Sequence, residues 1–267
     1  MLFPNPGNFS SEPVCAVDGV DLEVQEGSFT SLVGESGSGK TVTALSICRL
    51  IQALSVSGQI YFPSSNFGRQ NLLKMKAKDL VRVRGREIAY IFQDPSSSFN
   101  PVMKVGAQID EACLAHSGVS RAEAKARTMA LLESVSLKDG ERVYGSFAHE
   151  LSGGMKQRAM IAMALISNPK LLIADEPTTA LDVMTEVEIL KLLTGLQQDR
   201  RLSIFFITHD LSLAAQYAQT IFVMEKGRVV EGMEKQNGRF TPDQAYTKRL
   251  FKARFGFGAP KTLIEVQ

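Results

Sequence analysis

An α/β fold with a mostly parallel core sheet is what this sequence predicts, on three observations. Apolar runs of strand length recur along the chain, they do not alternate with polar residues, and helical patterns fall between most of them. The runs cover residues 29–33, 88–92, 170–174, 203–207 and 220–224. Each is rich in Ile, Leu, Val or Phe, as expected of strands covered on both faces. Helices are expected over 41–51, over 122–135, after Gly154, and along the stripe Val187, Leu190, Leu193 and Leu196. Residues 94–157 hold helix and turn patterns but no convincing strand, which reads as a helical insertion rather than a continuation of the sheet.

The 267 residues, 44% hydrophobic and 22% charged, exclude global disorder and suffice for a sizeable core. The net charge of +2 gives no bulk attraction to nucleic acid or to an anionic membrane. Cys15, Cys48 and Cys113 share no close spacing, which excludes a disulfide framework and a Cys-rich metal site. Buried or idle thiols in a reducing compartment are expected instead. The start, Met1 to Gly7, has no basic region and no apolar core of the secretory type. No stretch approaches the roughly 18 apolar residues that span a bilayer. A cytoplasmic protein is expected, and that is compatible with docking onto a membrane protein from the inside.

The clearest local signal is Gly34-Glu35-Ser36-Gly37-Ser38-Gly39-Lys40-Thr41, which fits G-x-x-x-x-G-K-[ST] between an expected strand and an expected helix. Its glycines let the backbone wrap phosphates, and successive N–H groups with the helix N-terminus supply a positive field. Lys40 would reach the β- and γ-phosphates and the Thr41 hydroxyl would ligate Mg²⁺. A flexible Gly/Ser turn accounts for the glycines but not for Lys40-Thr41 after a strand. The second element is Asp175-Glu176 at the end of the run Leu171 to Ala174. There a carboxylate on Asp175 can sit near the Mg²⁺, and Glu176 can polarise an attacking water as general base. No N-K-x-D motif of a guanine-nucleotide site is present.

The third element, Leu151-Ser152-Gly153-Gly154-Met155-Lys156-Gln157-Arg158, opens an apolar helix. Ser152 stands at an N-cap position, and the two glycines expose first-turn amides. This is a second anion-binding helix start in a chain that needs one for its own nucleotide, and its natural use is a γ-phosphate held by another subunit.

With these elements in hand, the sequence resembles the ATP-binding cassette (ABC) ATPases. Residues 151–158 match the family's signature sequence. Gln93 in Ile91-Phe92-Gln93-Asp94 looks like the Q-loop, Ala180-Leu181-Asp182 like the D-loop, and His209 in Ile207-Thr208-His209-Asp210 like the switch histidine. The resemblance spans about residues 14–232. It implies a P-loop NTPase with an N-terminal antiparallel β part, a nucleotide-binding domain over 1–232 with the helical subdomain inserted at about 94–157, and a short C-terminal tail over 233–267. It implies ATP contacts along Gly34, Ser36, Gly37, Ser38, Gly39, Lys40, Thr41 and Val42, and Mg²⁺ held by Thr41, Gln93 and Asp175. Two cassettes would pair head to tail over two ATPs. Gln93 and His209 would then sense the γ-phosphate, and Ser152, Gly153, Gly154 and Asp182 would complete the partner's site. Phe3 and Phe9 are both candidates to stack on adenine.

Finer resemblance points to the peptide/nickel importers, through the segments at 94–106, 175–183 and 245–250. Such systems pair two ATPase subunits, often paralogues, with two transmembrane permeases and an extracytoplasmic binding protein, the ATPases lying peripherally on the cytoplasmic face of the inner membrane. Many peptide-importing members carry a Cys-containing extension after the Tyr246-Thr247 segment. This chain lacks those cysteines and so resembles shorter members, among which nickel and metal-chelate importers occur. The expected function is therefore ATP hydrolysis energising import of peptides or metal chelates. An exporter or lipoprotein-release ATPase of the same fold is the alternative, and a soluble ABC ATPase acting on DNA or ribosomes a more distant one. Nucleic acid is not an expected partner.

Overall fold

The structure is a computed structural model that describes residues 1–3 and 13–255. The first strands, β1 (Leu2–Phe3) and β2 (Val14–Cys15), pair antiparallel. They lead to β3 (Phe29–Val33) and α1 (Lys40–Ile47), then to the hairpin β4 (Tyr61–Ser64) and β5 (Gly68–Asn71). A short α2 (Ala77–Leu80) precedes β6 (Ile88–Ile91). Four helices follow without a strand: α3 (Val105–His116), α4 (Arg121–Ser134), α5 (Gly140–Gly145) and α6 (Gly153–Leu165). The chain then alternates through β7 (Leu171–Asp175), α7 (Val183–Arg200), β8 (Ser203–Thr208), α8 (Leu211–Tyr217) and β9 (Thr220–Glu225). It ends in β10 (Arg228–Glu234) and α9 (Ala245–Phe255).

Six strands form the main sheet in the order β10-β9-β3-β8-β7-β6. All neighbours are parallel except the edge pair β9–β10. That pair is a hairpin closed by Lys226 and Gly227 at φ +48° and +84°, a two-residue turn with both dihedrals positive that matches the strands' own twist. The five parallel strands are covered on both faces, and their side chains divide by parity. Phe29, Leu172, Ala174, Ile204, Phe206, Ile221 and Val223 face a core shared with α3, α6 and α7. Leu32, Ile173, Phe205, Ile207 and Met224 face the other, with Ala44 of α1 and Cys48 at its C-terminal cap. Period-2 alternation is thus present, but between two buried faces, which is why the sequence shows mostly apolar runs without a polar alternation.

The expected strands match β3, β6, β7, β8 and β9 to within a residue at each end. The first helix was expected to run to 51 but stops at Ile47. Arg49 turns left-handed at φ +50°, and the Leu50 N–H closes back on the Leu45 carbonyl at 2.9 Å, so the helix cannot continue. On α7 the buried stripe is Ile189, Leu190, Leu193 and Leu196, with Val187 only half-buried. Cys48 and Cys113 are buried and Cys15 is exposed. Burial pushes the Cys48 thiol up to about 12, which keeps it protonated and inert. No helix among the described residues is long and apolar enough to cross a membrane.

Candidate active site

Four of the site elements sit at the carboxyl ends of parallel strands, where open α/β sheets bind ligands. The loop 34–39 leaves β3, Gln93 follows β6, Asp175 ends β7, and His209 follows β8. Because β8 lies between β3 and β7, residues from all three segments meet at one edge of the sheet.

The phosphate-type loop is built for close approach. Gly39 precedes α1 at φ +103°, and a Cβ there would lie 2.5 Å from the Ala16 carbonyl oxygen. No side chain caps α1, so its first N–H groups are not spent on a cap. Lys40 is only 5% exposed, and its Nζ donates to the carbonyls of Gly34 (2.9 Å) and Glu35 (2.8 Å). Burial lowers its pKa, while the carboxylates of Glu176 and Asp175 act in the opposite direction. Ser38 is buried, and Ser36, Gly37 and Thr41 are exposed at the rim, with Val42 half-buried behind them.

Asp175 and Glu176 are adjacent in sequence but face different partners. Asp175 is buried; its Oδ1 accepts from the Thr41 hydroxyl at 3.2 Å and its Oδ2 from the Tyr90 hydroxyl at 2.8 Å. Burial raises its pKa, opposed by those two hydrogen bonds. Glu176 departs from the strand at φ +46°, held by its N–H donating to the Ile207 carbonyl at 2.9 Å. Positive φ is uncommon for a residue with a Cβ and marks a turn that its surroundings impose. Its Oε2 is the meeting point of three side chains: it accepts from Thr179 Oγ1 at 2.9 Å and from Gln93 Nε2 at 3.3 Å, and His209 Nδ1 lies 3.2 Å away. Gln93 thus stands beside Glu176, the residue next to Asp175.

A second cluster forms around the start of α6. Ser152 Oγ accepts from the Met155 N–H at 3.3 Å, the expected cap. Gly153 lies against Leu181, and a Cβ on Gly154 would come 2.7 Å from Thr185 Cγ2. Asp182 caps α7 by accepting from the N–H groups of Met184 and Thr185, each at 3.1 Å. Ser152, Gly153, Gly154 and Asp182 thus belong together through the start of α7. Among the described residues, no hydrogen bond or ion pair ties them to the loop 34–41. The segment 176–185 connects the two clusters, with Glu176 at one end and Thr185 at the other.

Two contributors escaped the sequence reading. Thr179 and Tyr90 reach Glu176 and Asp175, and Tyr90 does so across 85 residues. Burial and the neighbouring Asp175 charge push the Tyr90 phenol upward, so it remains a donor. Its sequence signal was only a tyrosine in an apolar strand. Phe3 is half-buried in β1, and Phe9 lies outside the described residues.

Among the described residues, no three His, Cys, Asp or Glu side chains group to hold an ion alone. The hard oxygens of Thr41 and buried Asp175 fit Mg²⁺, which takes one or two protein oxygens and otherwise uses water and phosphate.

A glycine-rich loop running into a helix, a buried Asp beside the first helical Thr, and a glutamate gathered by Gln, Thr and His define a nucleoside-triphosphate hydrolase of the P-loop class. A family model described as ABC transporter matches residues 17–179. The oligopeptide transport ATP-binding protein AppD of Bacillus subtilis is 44% identical over 239 residues, 90% of this chain and 72% of that protein. The oligopeptide transport ATP-binding protein OppD of the same organism is 45% identical over 237 residues, 88% of this chain and 65% of that one. Among solved structures, the dimeric bacterial ABC transporter cassette MJ0796 superposes with TM-score 0.75 at 26% identity, over 88% of this chain and 96% of that chain. A post-hydrolysis dimer of the same cassette, bound to ADP and Pi, gives 0.74 at 27% identity. The chain belongs to the ABC transporter family. It is an ATP-binding cassette whose hydrolysis of ATP is coupled to transport.

Proposed function

We propose that this chain is the ATPase subunit of a peptide importer and that Glu176 is its general base. The observation that carries the catalytic part is the convergence of Gln93, Thr179 and His209 on one oxygen of Glu176, one residue from the Asp175–Thr41 pair. A carboxylate so held can orient a water against the γ-phosphate and take its proton. Lys40 and the N–H groups of the loop and α1 bind the phosphates and offset their charge. Mg²⁺, held by Thr41 and Asp175, supplies further neutralisation of phosphate charge when bound. Gln93, placed beside Glu176 and one residue from Asp175, can serve both the water at the γ-phosphate and the ion, as a third ligand with Thr41 and Asp175.

Tyr90 fixes the Asp175 carboxylate for that ion. Tyr90→Phe is expected to weaken Mg²⁺-dependent nucleotide binding by roughly fivefold, the value of about 1 kcal/mol for one hydrogen bond. A Mg²⁺ titration of ATP binding reads this, and an unchanged midpoint removes Tyr90 from the role.

The separation of the Ser152 cluster from the chain's own phosphate loop supports a head-to-tail dimer with a second cassette, itself or a paralogue, each Ser152–Gly154 segment closing the other's site. Ser152→Ala is expected to keep ATP affinity in the single chain within about twofold, since the cap is worth about 1 kcal/mol locally. In a Glu176→Gln background it should abolish ATP-driven dimerisation, as read by sedimentation. A dimer of undiminished affinity would overturn the role.

Two permeases and an extracytoplasmic binding protein complete the proposed system, with this subunit on the cytoplasmic face of the inner membrane. A groove of about 180 Å³ between β6, α3 and α6, lined by Tyr90, Phe92, Ala112, His116, Met160 and Met163, is a fitting seat for a permease helix. It adjoins Gln93, so a segment docked there would press on the γ-phosphate side. Peptide rather than metal chelate is favoured by the likeness to AppD and OppD. Uptake of labelled oligopeptides and of a nickel chelate by cells with and without the intact gene tests this. Peptide uptake lost alone supports the reading, and chelate uptake lost alone overturns it.

A further inference from the structure

We propose that the C-terminal helix α9 is a positioning strap for the active site: through Arg254 it clamps the turn that carries His209, while its other end is anchored on β10 and the core. The proposal rests on the reading of His209 as a group that faces the γ-phosphate.

His209 needs such a support. Its side chain is 56% exposed and its hydrogen-bonding neighbour is Glu176 Oε2 at 3.2 Å, so packing does not hold the ring. Its position follows from the backbone of the turn between β8 and α8. That turn is built on Asp210, whose N–H donates to Thr208 Oγ1 at 3.0 Å and whose Oδ1 caps α8 by accepting from Ser212 N–H at 2.7 Å. Arg254 takes the remaining oxygen. Its Nη2 donates to Asp210 Oδ2 at 2.9 Å and its Nε to Ser212 Oγ at 2.7 Å, a two-point grip by a planar, permanently charged fork.

The helix bearing Arg254 is itself tied down. Glu231 of β10 accepts from Asp243 N–H at 2.6 Å and from Gln244 N–H at 3.2 Å, which fixes the approach to α9. Tyr246, Leu250, Phe251 and Phe255 pack on the core. The Tyr246 hydroxyl is buried as well, so the start of the helix is seated as firmly as its middle. The Arg254–Asp210 pair is partly exposed, at 54% and 28%, and such pairs add little to stability. What the grip does determine is geometry.

The test is ATP-hydrolysis kinetics on the purified full chain as parent, Arg254→Ala, Arg254→Lys, His209→Ala and the double variant. Arg254→Ala is expected to lower kcat roughly tenfold with KM for ATP within about twofold, short of the ~10²-fold that an ångström of misplacement costs. Its melting temperature should stay within about 2 °C of the parent. Arg254→Lys should recover part of the rate, and in the His209→Ala background Arg254→Ala should cost nothing further. A parent-like kcat in Arg254→Ala, or the same fold-loss in both backgrounds, overturns the strap while leaving the role of His209 intact. A parent-like kcat in His209→Ala overturns the reading of His209 and the strap with it.

Discussion

Glu176→Gln is expected to bind ATP like the parent chain and to lose roughly 10²- to 10⁴-fold in steady-state hydrolysis, the contribution of a positioned general base. The amide keeps the shape of the carboxylate and can still accept from Thr179 and Gln93 through its oxygen, so the loop 34–41 and the Asp175–Thr41 pair are undisturbed. What disappears is the ability to take a proton from water. Nucleotide binding by fluorescence and phosphate release on the same preparation read the two effects separately. Hydrolysis near the parent rate would remove Glu176 from its role and pass the base to another group, such as His209 at 3.2 Å from its carboxylate.

The second large effect is at Lys40. Lys40→Ala is expected to weaken ATP binding by about 10- to 150-fold, corresponding to ~1.5–3 kcal/mol for hydrogen bonds made by a charged group. The structure sharpens the reason. Lys40 is 5% exposed and bonded to the carbonyls of Gly34 and Glu35, so it both holds the loop's curvature and presents a charge whose desolvation is opposed by Asp175 and Glu176. A triphosphate adds further negative charge to that environment. Calorimetric titration with ATP checks the prediction, and unchanged affinity would count against the phosphate-loop assignment. Lys40→Arg should rescue little, because a buried site sized for an ammonium group does not admit the longer planar fork.

Much of the fold was legible because the parallel strands are buried on both faces. Double burial writes strand-length, mostly apolar runs into the sequence, as at 88–92 or 204–207, with few charged residues to break them. The same logic hid the edges. The antiparallel strand β10 carries Glu231 and Gly232 among half-buried residues, and the hairpin β4–β5 includes Pro63 and Gly68, so neither has a clean pattern. The helix α9, with Lys248, Arg249, Lys252 and Arg254 along it, was read only as a tail. A helix so rich in Lys and Arg shows its apolar stripe only once a surface exists for Tyr246, Leu250 and Phe251 to cover.

The site divides along the same line. Chemistry that needs neighbours in the chain was determined by sequence alone: the loop Gly34 to Thr41, the pair Asp175-Glu176, and the capped start Ser152-Gly153-Gly154 each work through contiguous backbone, so spacing is enough to recognise them. Tertiary structure decided which side chains serve which carboxylate. Gln93, Thr179 and His209 gather on Glu176, Tyr90 joins Thr41 on Asp175, and Arg254 reaches Asp210 from 44 residues away. The physical reason is that a hydrogen bond between distant residues is set by strand order and register, here the placement of β8 between β3 and β7. A local pattern reports that a residue is buried or exposed, but not what it will meet.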